Sequence, residues 1–145
     1  MRVAAVQRVC SSTFRARVPF ALERVQAGFP SPAQDYCSAD IDLHEHLMPN
    51  PDSTFILTVA GNSMIGAGIH DGDQVVVDRS IRPRDGHIVI AVIDNELTVK
   101  RLRLTQDGVV LQAENPIYPD LRVCSMDQFV IWGVVTWTLH PSCLS

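Results

Sequence analysis

The chain has 145 residues and a net charge of −4, and its composition is 46% hydrophobic and 19% charged. This length suits one compact domain, and the composition is that of a globular rather than a disordered protein. No apolar run reaches the roughly 18 to 20 residues of a membrane-spanning helix, and the first residues lack the pattern of a secretory signal. We therefore expect a cytoplasmic protein without a membrane anchor.

The N-terminal part differs from the rest in charge and in backbone preference. It is rich in arginine and contains one acidic residue, Glu23, whereas the sequence beyond it is acidic. Gly28 and the two prolines that follow interrupt any helix and favour an extended, exposed segment. We therefore predict an N-terminal arm over residues 1–28 and a folded body over residues 29–145. The basic arm either frays or folds back onto the acidic body.

Strand patterns dominate the body after one short helical pattern, DIDLHEHLM, which ends at PNPD. The runs rich in β-branched and aromatic residues are TFILTVA, QVVVD, HIVIAVI, LTVKRLRL, VVLQAEN and FVIWGVVTWTL. The turn-forming stretches between them are HDGD, RPRDG, DNE, QDG and NPIYPD. Short strands at this spacing predict a mainly β, antiparallel body that is curled or barrel-like. The arm is too short for a helix-turn-helix domain, so we expect no direct sequence-specific DNA binding.

Cysteines and histidines give little indication of a bound metal. The four cysteines are scattered and form no Cys-x-x-Cys pair, which is typical of a protein in a reducing compartment. His44 and His46 form a His-x-His pair, but no third ligand lies at a persuasive spacing from them. We therefore predict no metal site and no cofactor.

A serine lies where the run TFILTVA breaks into the small residues of GNSMIGAGI. Gly61 predicts a tight corner, and Ser63 then lies near the start of a short helical turn. Serine is a favoured N-cap residue, so Ser63 suits a purely structural role. It equally suits a nucleophile, because free backbone N–H groups at a helix start can stabilise an oxyanion. The choice depends on whether a base is available.

The candidate base is Lys100, the only lysine of the chain. In an extended strand it shares a face with Leu102 and Leu104, whereas Arg101 and Arg103 lie on the opposite face. A lysine acts as a base only when it is neutral, and burial away from carboxylates disfavours its ammonium form. Lys100 is therefore either the base that takes the proton of a serine hydroxyl or a strand lysine whose amine reaches solvent.

Four pieces in register resemble the UmuD/MucA-type SOS mutagenesis proteins of the LexA-like family of self-cleaving serine peptidases. They are the cleavage-type segment QAGFPSPAQDY, the nucleophile motif GNSMI, the segment DGDQVVVD and the lysine-bearing strand LTVKRL. The resemblance runs from about Val18 to Thr138, and the separation of 37 residues between serine and lysine fits it. It implies a curled, antiparallel, barrel-like peptidase fold of the LexA/UmuD type with a flexible N-terminal arm.

The resemblance also implies the roles of individual residues. Ser63 would be the nucleophile, Lys100 the general base, and Ala27–Gly28 the scissile bond. The backbone N–H groups of Asn62 and Ser63 would form the oxyanion hole. Because the substrate bond belongs to the same chain, its effective concentration at the site is high, and modest chemistry suffices for a single turnover.

For the family, such a cut is stimulated by RecA filaments on single-stranded DNA after DNA damage in the bacterial cytoplasm. The trimmed body, a homodimer, then joins a UmuC-type Y-family DNA polymerase subunit for error-prone translesion synthesis. Two alternatives are weighed against this. A signal peptidase uses the same dyad but needs a membrane anchor, and the sequence indicates none. A non-catalytic polymerase-accessory binding module would carry the serine and lysine as a vestigial dyad.

Overall fold

The computed structural model describes most of the chain, and its contacts divide the chain into two units. The larger unit comprises residues 1–11 and 50–145, and the smaller unit comprises residues 12–49. The described residues are 1–9, 17–20, 39–123 and 129–143. The proposed boundary between arm and body at residue 28 lies outside the described residues.

Antiparallel strands make up most of the regular structure. In chain order they are β1 (Arg2–Arg8), β2 (Arg17–Phe20), β3 (Ala39–Asp42), β4 (Thr54–Ala60), β5 (Gln74–Asp78), β6 (Ile88–Ile93), β7 (Glu96–Thr105), β8 (Gly108–Gln112), β9 (Leu121–Val123) and β10 (Val130–Leu139). The larger unit holds eight of them in the order β1-β4-β5-β10-β6-β7-β8-β9. Because β1 also pairs with β7, six of these strands close into a barrel. The predicted mainly β, antiparallel, barrel-like fold is confirmed.

The barrel is held together by buried aliphatic side chains. In β5, Val75, Val76 and Val77 are all buried, so this strand lies between apolar surroundings on both faces. This explains why QVVVD is a continuous apolar run rather than an alternating one. Burial of each such side chain contributes about 1.5–3 kcal/mol. Around β5 the core continues with Leu57 of β4 and Val99 of β7.

The N-terminal residues fold back onto the body, which is one of the two alternatives that the sequence left open. β1 pairs with β4 along its whole length, from Arg2 opposite Ala60 to Arg8 opposite Phe55. Most of its side chains are exposed, so burial does not produce the alternating pattern by which the other strands are recognised. It is the backbone hydrogen bonding of β1 that completes the barrel.

The smaller unit contains β2, β3 and the α-helix α1 (Leu43–Leu47). β2 pairs antiparallel with β3. Asp42 caps α1, because its carboxylate accepts hydrogen bonds from the N–H groups of His44 (3.0 Å) and Glu45 (3.3 Å). The helix predicted from DIDLHEHLM is confirmed, although the first three residues of that segment belong to β3. His44 and His46 lie two positions apart on α1 and therefore do not face each other.

None of the described helices is long and apolar enough to cross a membrane.

Candidate active site

Ser63 lies on a corner that directly follows β4. Gly61 adopts a φ of +104°, and its N–H donates a hydrogen bond to Asp71 Oδ1 at 2.8 Å. Ser63 itself is 1% exposed, and the next residue, Met64, is completely buried in the core. A single 3-10 turn then spans Ile65–Ala67, and no side chain caps it. The interpretation of Ser63 as a helix cap is therefore wrong.

Lys100 reaches this corner from the middle of β7. Its Nζ lies 3.5 Å from Ser63 Oγ. The side chain is half-buried, and within the part of the chain that the structure describes no carboxylate forms an ion pair with it. The neighbouring cation, Arg101, is paired with Glu114 at 2.5 Å. The arrangement leaves Lys100 facing the hydroxyl of Ser63 without a competing anion.

Asn115 holds the peptide group between Asn62 and Ser63 in one orientation. Its Nδ2 donates to the carbonyl of Asn62 at 2.8 Å, and its own Oδ1 accepts from the N–H of Ile117 at 3.2 Å. In a trans peptide the N–H points away from the carbonyl, so the N–H of Ser63 points away from Asn115. Among the described residues, no acceptor binds the backbone N–H of Asn62 or of Ser63. Both donors are therefore available to a developing oxyanion.

Glu114 connects the segment after Ser63 with the strand that carries Lys100. Its carbonyl accepts a hydrogen bond from the N–H of Gly66 at 2.8 Å, and its carboxylate pairs with Arg101 beside Lys100. A Cβ at position 66 would lie 2.6 Å from that carbonyl oxygen, so only glycine fits this approach. The segment that contains Ser63 and the strand that contains Lys100 are thus joined by residues 114–115. The sequence marked these residues only as the edge of a strand and a turn.

The first residue of the chain lies against the candidate dyad. The α-amino group of Met1 donates a hydrogen bond to Ser63 Oγ. The carbonyl of Met1 accepts from the N–H of Val99 (2.9 Å) and from Thr98 Oγ1 (2.7 Å). Burial, with the charge and hydrogen bond of Lys100, lowers the pKa of the Met1 amine to about 5. The amine is therefore mainly neutral at pH 7 and adds little positive charge beside Lys100.

A cavity of about 280 Å³ opens between β1 and the serine corner. It is lined by Met1, Arg2, Ala60, Gly61, Asn62, Ser63 and Tyr118. Its neighbour β1 is an extended segment held by backbone hydrogen bonds to β4 and, at Met1, to β7. β1 thus lies as an extended segment in the groove between β4 and β7, beside the serine corner.

The predicted site residues divide into two groups. Asn62, Ser63 and Lys100 come together at one corner of the barrel, although 37 residues separate the serine from the lysine. Ala27 and Gly28, the predicted scissile bond, lie outside the described residues. Asn115 and Glu114 were not predicted as site residues, because neither is part of a recognisable motif. The one available signal was an asparagine at the start of the turn NPIYPD.

Comparison with known proteins gives consistent matches. The model of the Peptidase S24-like family matches residues 19–136. Protein MucA of Escherichia coli is 47% identical over 130 residues, which cover 88% of this chain and 88% of that protein. Protein ImpA of Shigella flexneri is 43% identical over 122 residues, covering 84% and 83%. The LexA repressor of Delftia acidovorans is 41% identical over 120 residues, covering 82% of this chain and 53% of the repressor.

Proposed function

From the premise that the chain belongs to the Peptidase S24-like family, we propose that it is a self-cleaving serine peptidase. Family membership and the identity to MucA confirm the resemblance to UmuD-like proteins on which the sequence interpretation depended. The proposed cut lies between Ala27 and Gly28, with Ser63 as nucleophile and Lys100 as general base. The observation that carries the proposal is the 3.5 Å approach of Lys100 Nζ to a buried serine hydroxyl.

The reaction would proceed through an acyl-enzyme. Neutral Lys100 takes the proton of Ser63 while Oγ attacks the carbonyl carbon of Ala27, and the resulting oxyanion accepts hydrogen bonds from the N–H groups of Asn62 and Ser63. Lys100 then donates its proton to the amine of Gly28 as the Ala27–Gly28 bond breaks. In the second half-reaction Lys100 takes a proton from a water molecule, whose oxygen attacks the ester carbon, and Lys100 then returns that proton to Ser63 Oγ as the ester C–O bond breaks. Each proton that Lys100 accepts is thereby returned.

Occupation of the groove by β1 is one reason to expect slow unaided cleavage. The amine of Met1 lies on Ser63, where the carbonyl of Ala27 must lie for attack. The cleavage segment can therefore bind only when Met1, which directly precedes β1, has moved away from Ser63. A partner that favours the conformation with the cleavage segment bound would raise the rate by shifting this population.

The biological role that we propose follows the family. RecA filaments on single-stranded DNA would stimulate the cut during the SOS response in the bacterial cytoplasm. The trimmed protein would act as a homodimer and as the regulatory subunit of a UmuC-type, error-prone Y-family polymerase. The identity to MucA and ImpA supports this role, because each match covers more than four fifths of both chains.

The first test is intact mass against time for the purified full-length chain at about pH 7.5 and about pH 10. Alkali raises the neutral fraction of an ordinary lysine, which titrates near pH 10.4. We expect alkaline cleavage into fragments that end at Ala27 and begin at Gly28. Ser63→Ala and Lys100→Ala should both stay intact, whereas Ser53→Ala, which alters another serine of the same unit, should be cut like the wild type.

A second test adds the proposed activator at neutral pH. RecA, nucleotide and single-stranded DNA together should shorten the half-life of the wild type and leave Ser63→Ala whole. If the wild type stays intact under every one of these conditions, the peptidase proposal is refuted. Co-purification of residues 28–145 with a UmuC-type polymerase subunit would then support the binding module with a vestigial dyad.

A further inference from the structure

A cluster of two histidines and one aspartate lies apart from the serine corner. His70 and Asp73 belong to the turn HDGD before β5, and His140 directly follows β10. Asp73 is buried, whereas both histidines are exposed. His140 Nδ1 lies 2.5 Å from Asp73 Oδ1, and His70 Nδ1 lies 3.7 Å from Asp73 Oδ2. The three side chains each offer a ligand atom, and these atoms all lie within 4.8 Å of one another.

We propose that His70, Asp73 and His140 form a binding site for a divalent transition metal, with Zn²⁺ the best match. Two imidazoles and one carboxylate are donors that Zn²⁺ prefers, whereas Mg²⁺ and Ca²⁺ require mainly oxygen ligands. Ligand atoms around a tetrahedral Zn²⁺ with bonds of about 2.0–2.1 Å are roughly 3.3 Å apart. The two histidine nitrogens lie 2.5 Å and 3.7 Å from different oxygens of Asp73, and the three ligand atoms lie within 4.8 Å of one another, so side-chain rotations must bring them to this spacing around the ion.

The burial pattern suits an open site. Asp73 is fixed, since its Oδ2 also accepts a hydrogen bond from the backbone N–H of His70 at 2.8 Å. The two imidazole rings lie with centroids 5.0 Å apart and remain accessible from solvent. A metal ion can therefore enter from the histidine side, and water can occupy a fourth position. The carboxylate supplies the negative charge that offsets part of the charge of the cation.

Such a site would tie the end of β10 to the turn that supports the serine corner. The carbonyl of Asp73 accepts from the N–H of Val59, and the N–H of Gly72 donates to the carbonyl of Val59, both at 2.9 Å. Asp71, in the same turn, accepts from the N–H of Gly61. The metal would therefore stabilise the turn that supports the corner carrying Ser63, without contacting the proposed dyad. The proposed metal site does not depend on the proposed peptidase activity.

The test uses the full-length chain with Ser63→Ala, which keeps it whole, stripped with a chelator and titrated with Zn²⁺ by calorimetry. We expect one ion per chain and, at 100 times the dissociation constant, a melting temperature raised by about 5–10 °C. Co²⁺ in place of Zn²⁺ should give the visible absorption of a low-symmetry nitrogen and oxygen site. His70→Gln and His140→Gln, which alter exposed side chains, should each weaken binding about 100-fold or more.

The matched control is the double variant His44→Gln/His46→Gln, which removes the other histidine pair and should bind Zn²⁺ like the parent. Melting temperatures measured without metal will serve as the control that every variant is folded. The proposal is overturned if the parent binds no stoichiometric Zn²⁺, which would leave the cluster as a hydrogen-bonded ion pair. It is equally overturned if His70→Gln and His140→Gln bind like the parent, or if the control loses binding to the same extent.

Discussion

Ser63 and Asp78 are both buried polar residues beside paired strands, but their surroundings are opposite. Asp78, at the end of β5, is 3% exposed and accepts hydrogen bonds from Asn50 Nδ2 (2.9 Å), Ser53 Oγ (2.8 Å) and both the N–H and the hydroxyl of Ser80 (2.8 and 2.7 Å). Ser63, after β4, is 1% exposed, and among the residues that the structure describes its hydroxyl hydrogen-bonds only with the amino groups of Lys100 and Met1.

The difference separates a site with a structural role from one whose surroundings suit the proposed reaction. Burial raises the pKa of Asp78, but the hydrogen bonds from Asn50, Ser80 and Ser53 together lower it by more. The pKa of Asp78 therefore lies below the ordinary value of 3.8. All of these bonds stabilise the charged form that is already present. Ser63 instead faces the amine of Lys100, its proposed base, and within the described parts of the chain no acceptor binds the N–H groups of Asn62 and Ser63. A buried hydroxyl with this environment is suited to reaction rather than to stability.

The largest expected effect is that of Lys100→Arg on cleavage. An arginine keeps the positive charge and the length of the side chain, but its guanidinium does not lose a proton in proteins. We expect cleavage of the full-length chain to fall by about 10³-fold or more at every pH up to 10, measured by intact mass. Alkaline cleavage of this variant at the wild-type rate would show that Lys100 acts by its charge and not as a base.

Removal of the Asn115 side chain should have the second largest effect. Without it the carbonyl of Asn62 loses its hydrogen bond, so the N–H of Ser63, a proposed oxyanion donor, is no longer held in one orientation. We expect Asn115→Ala to cut about 10- to 100-fold more slowly, with an unchanged pH dependence because Lys100 is untouched. Pro116→Ala, in the same turn, serves as the control and should cut normally. A shifted pH profile for Asn115→Ala would mean that Asn115 acts on the base instead.

Weakening of β1 should change the rate in the opposite direction. Consecutive N–H groups of a strand point to opposite sides, so one of Ala5→Pro and Val6→Pro removes a hydrogen bond to β4. We expect the variant that loses the hydrogen bond to β4 to be cleaved about 3- to 10-fold faster than the wild type, because the groove is free more often. Val6→Thr, which keeps its N–H, should behave like the wild type. Unchanged rates for both proline variants would show that β1 does not compete with the cleavage segment.

Asp78→Asn should leave the cleavage rate unchanged and lower stability instead. The amide cannot accept all the hydrogen bonds that the carboxylate accepts, so the free energy of unfolding should fall by about 1–3 kcal/mol. Because the pKa of Asp78 is lowered by folding, its contribution is fully present above about pH 4 and is lost as the pH falls through the folded pKa. Urea unfolding at pH 7 and at pH 3 should therefore show a smaller difference between wild type and variant in acid. A slower cut in Asp78→Asn would show that the two sites are coupled.

The sequence by itself determined most of the barrel and the two central residues of the candidate site. The runs TFILTVA and QVVVD coincide with β4 and β5, because alternating or continuous burial of β-branched side chains is a local pattern. Ser63 and Lys100 stand in short motifs whose order along the chain identifies the family. Gly61 indicated the corner, since a tight turn at positive φ favours glycine.

Only the tertiary structure decided what surrounds that pair. β1 carries few buried side chains, and its pairing with β4 and β7 depends on partners more than 45 residues away. Asn115 acts on Asn62 across 53 residues, and His140 meets Asp73 across 67. Such contacts leave no periodicity in the sequence, because each depends on one side chain reaching one atom of a distant loop. Local patterns therefore predicted the strands and the candidate dyad, and closure of the barrel brought the supporting residues into contact.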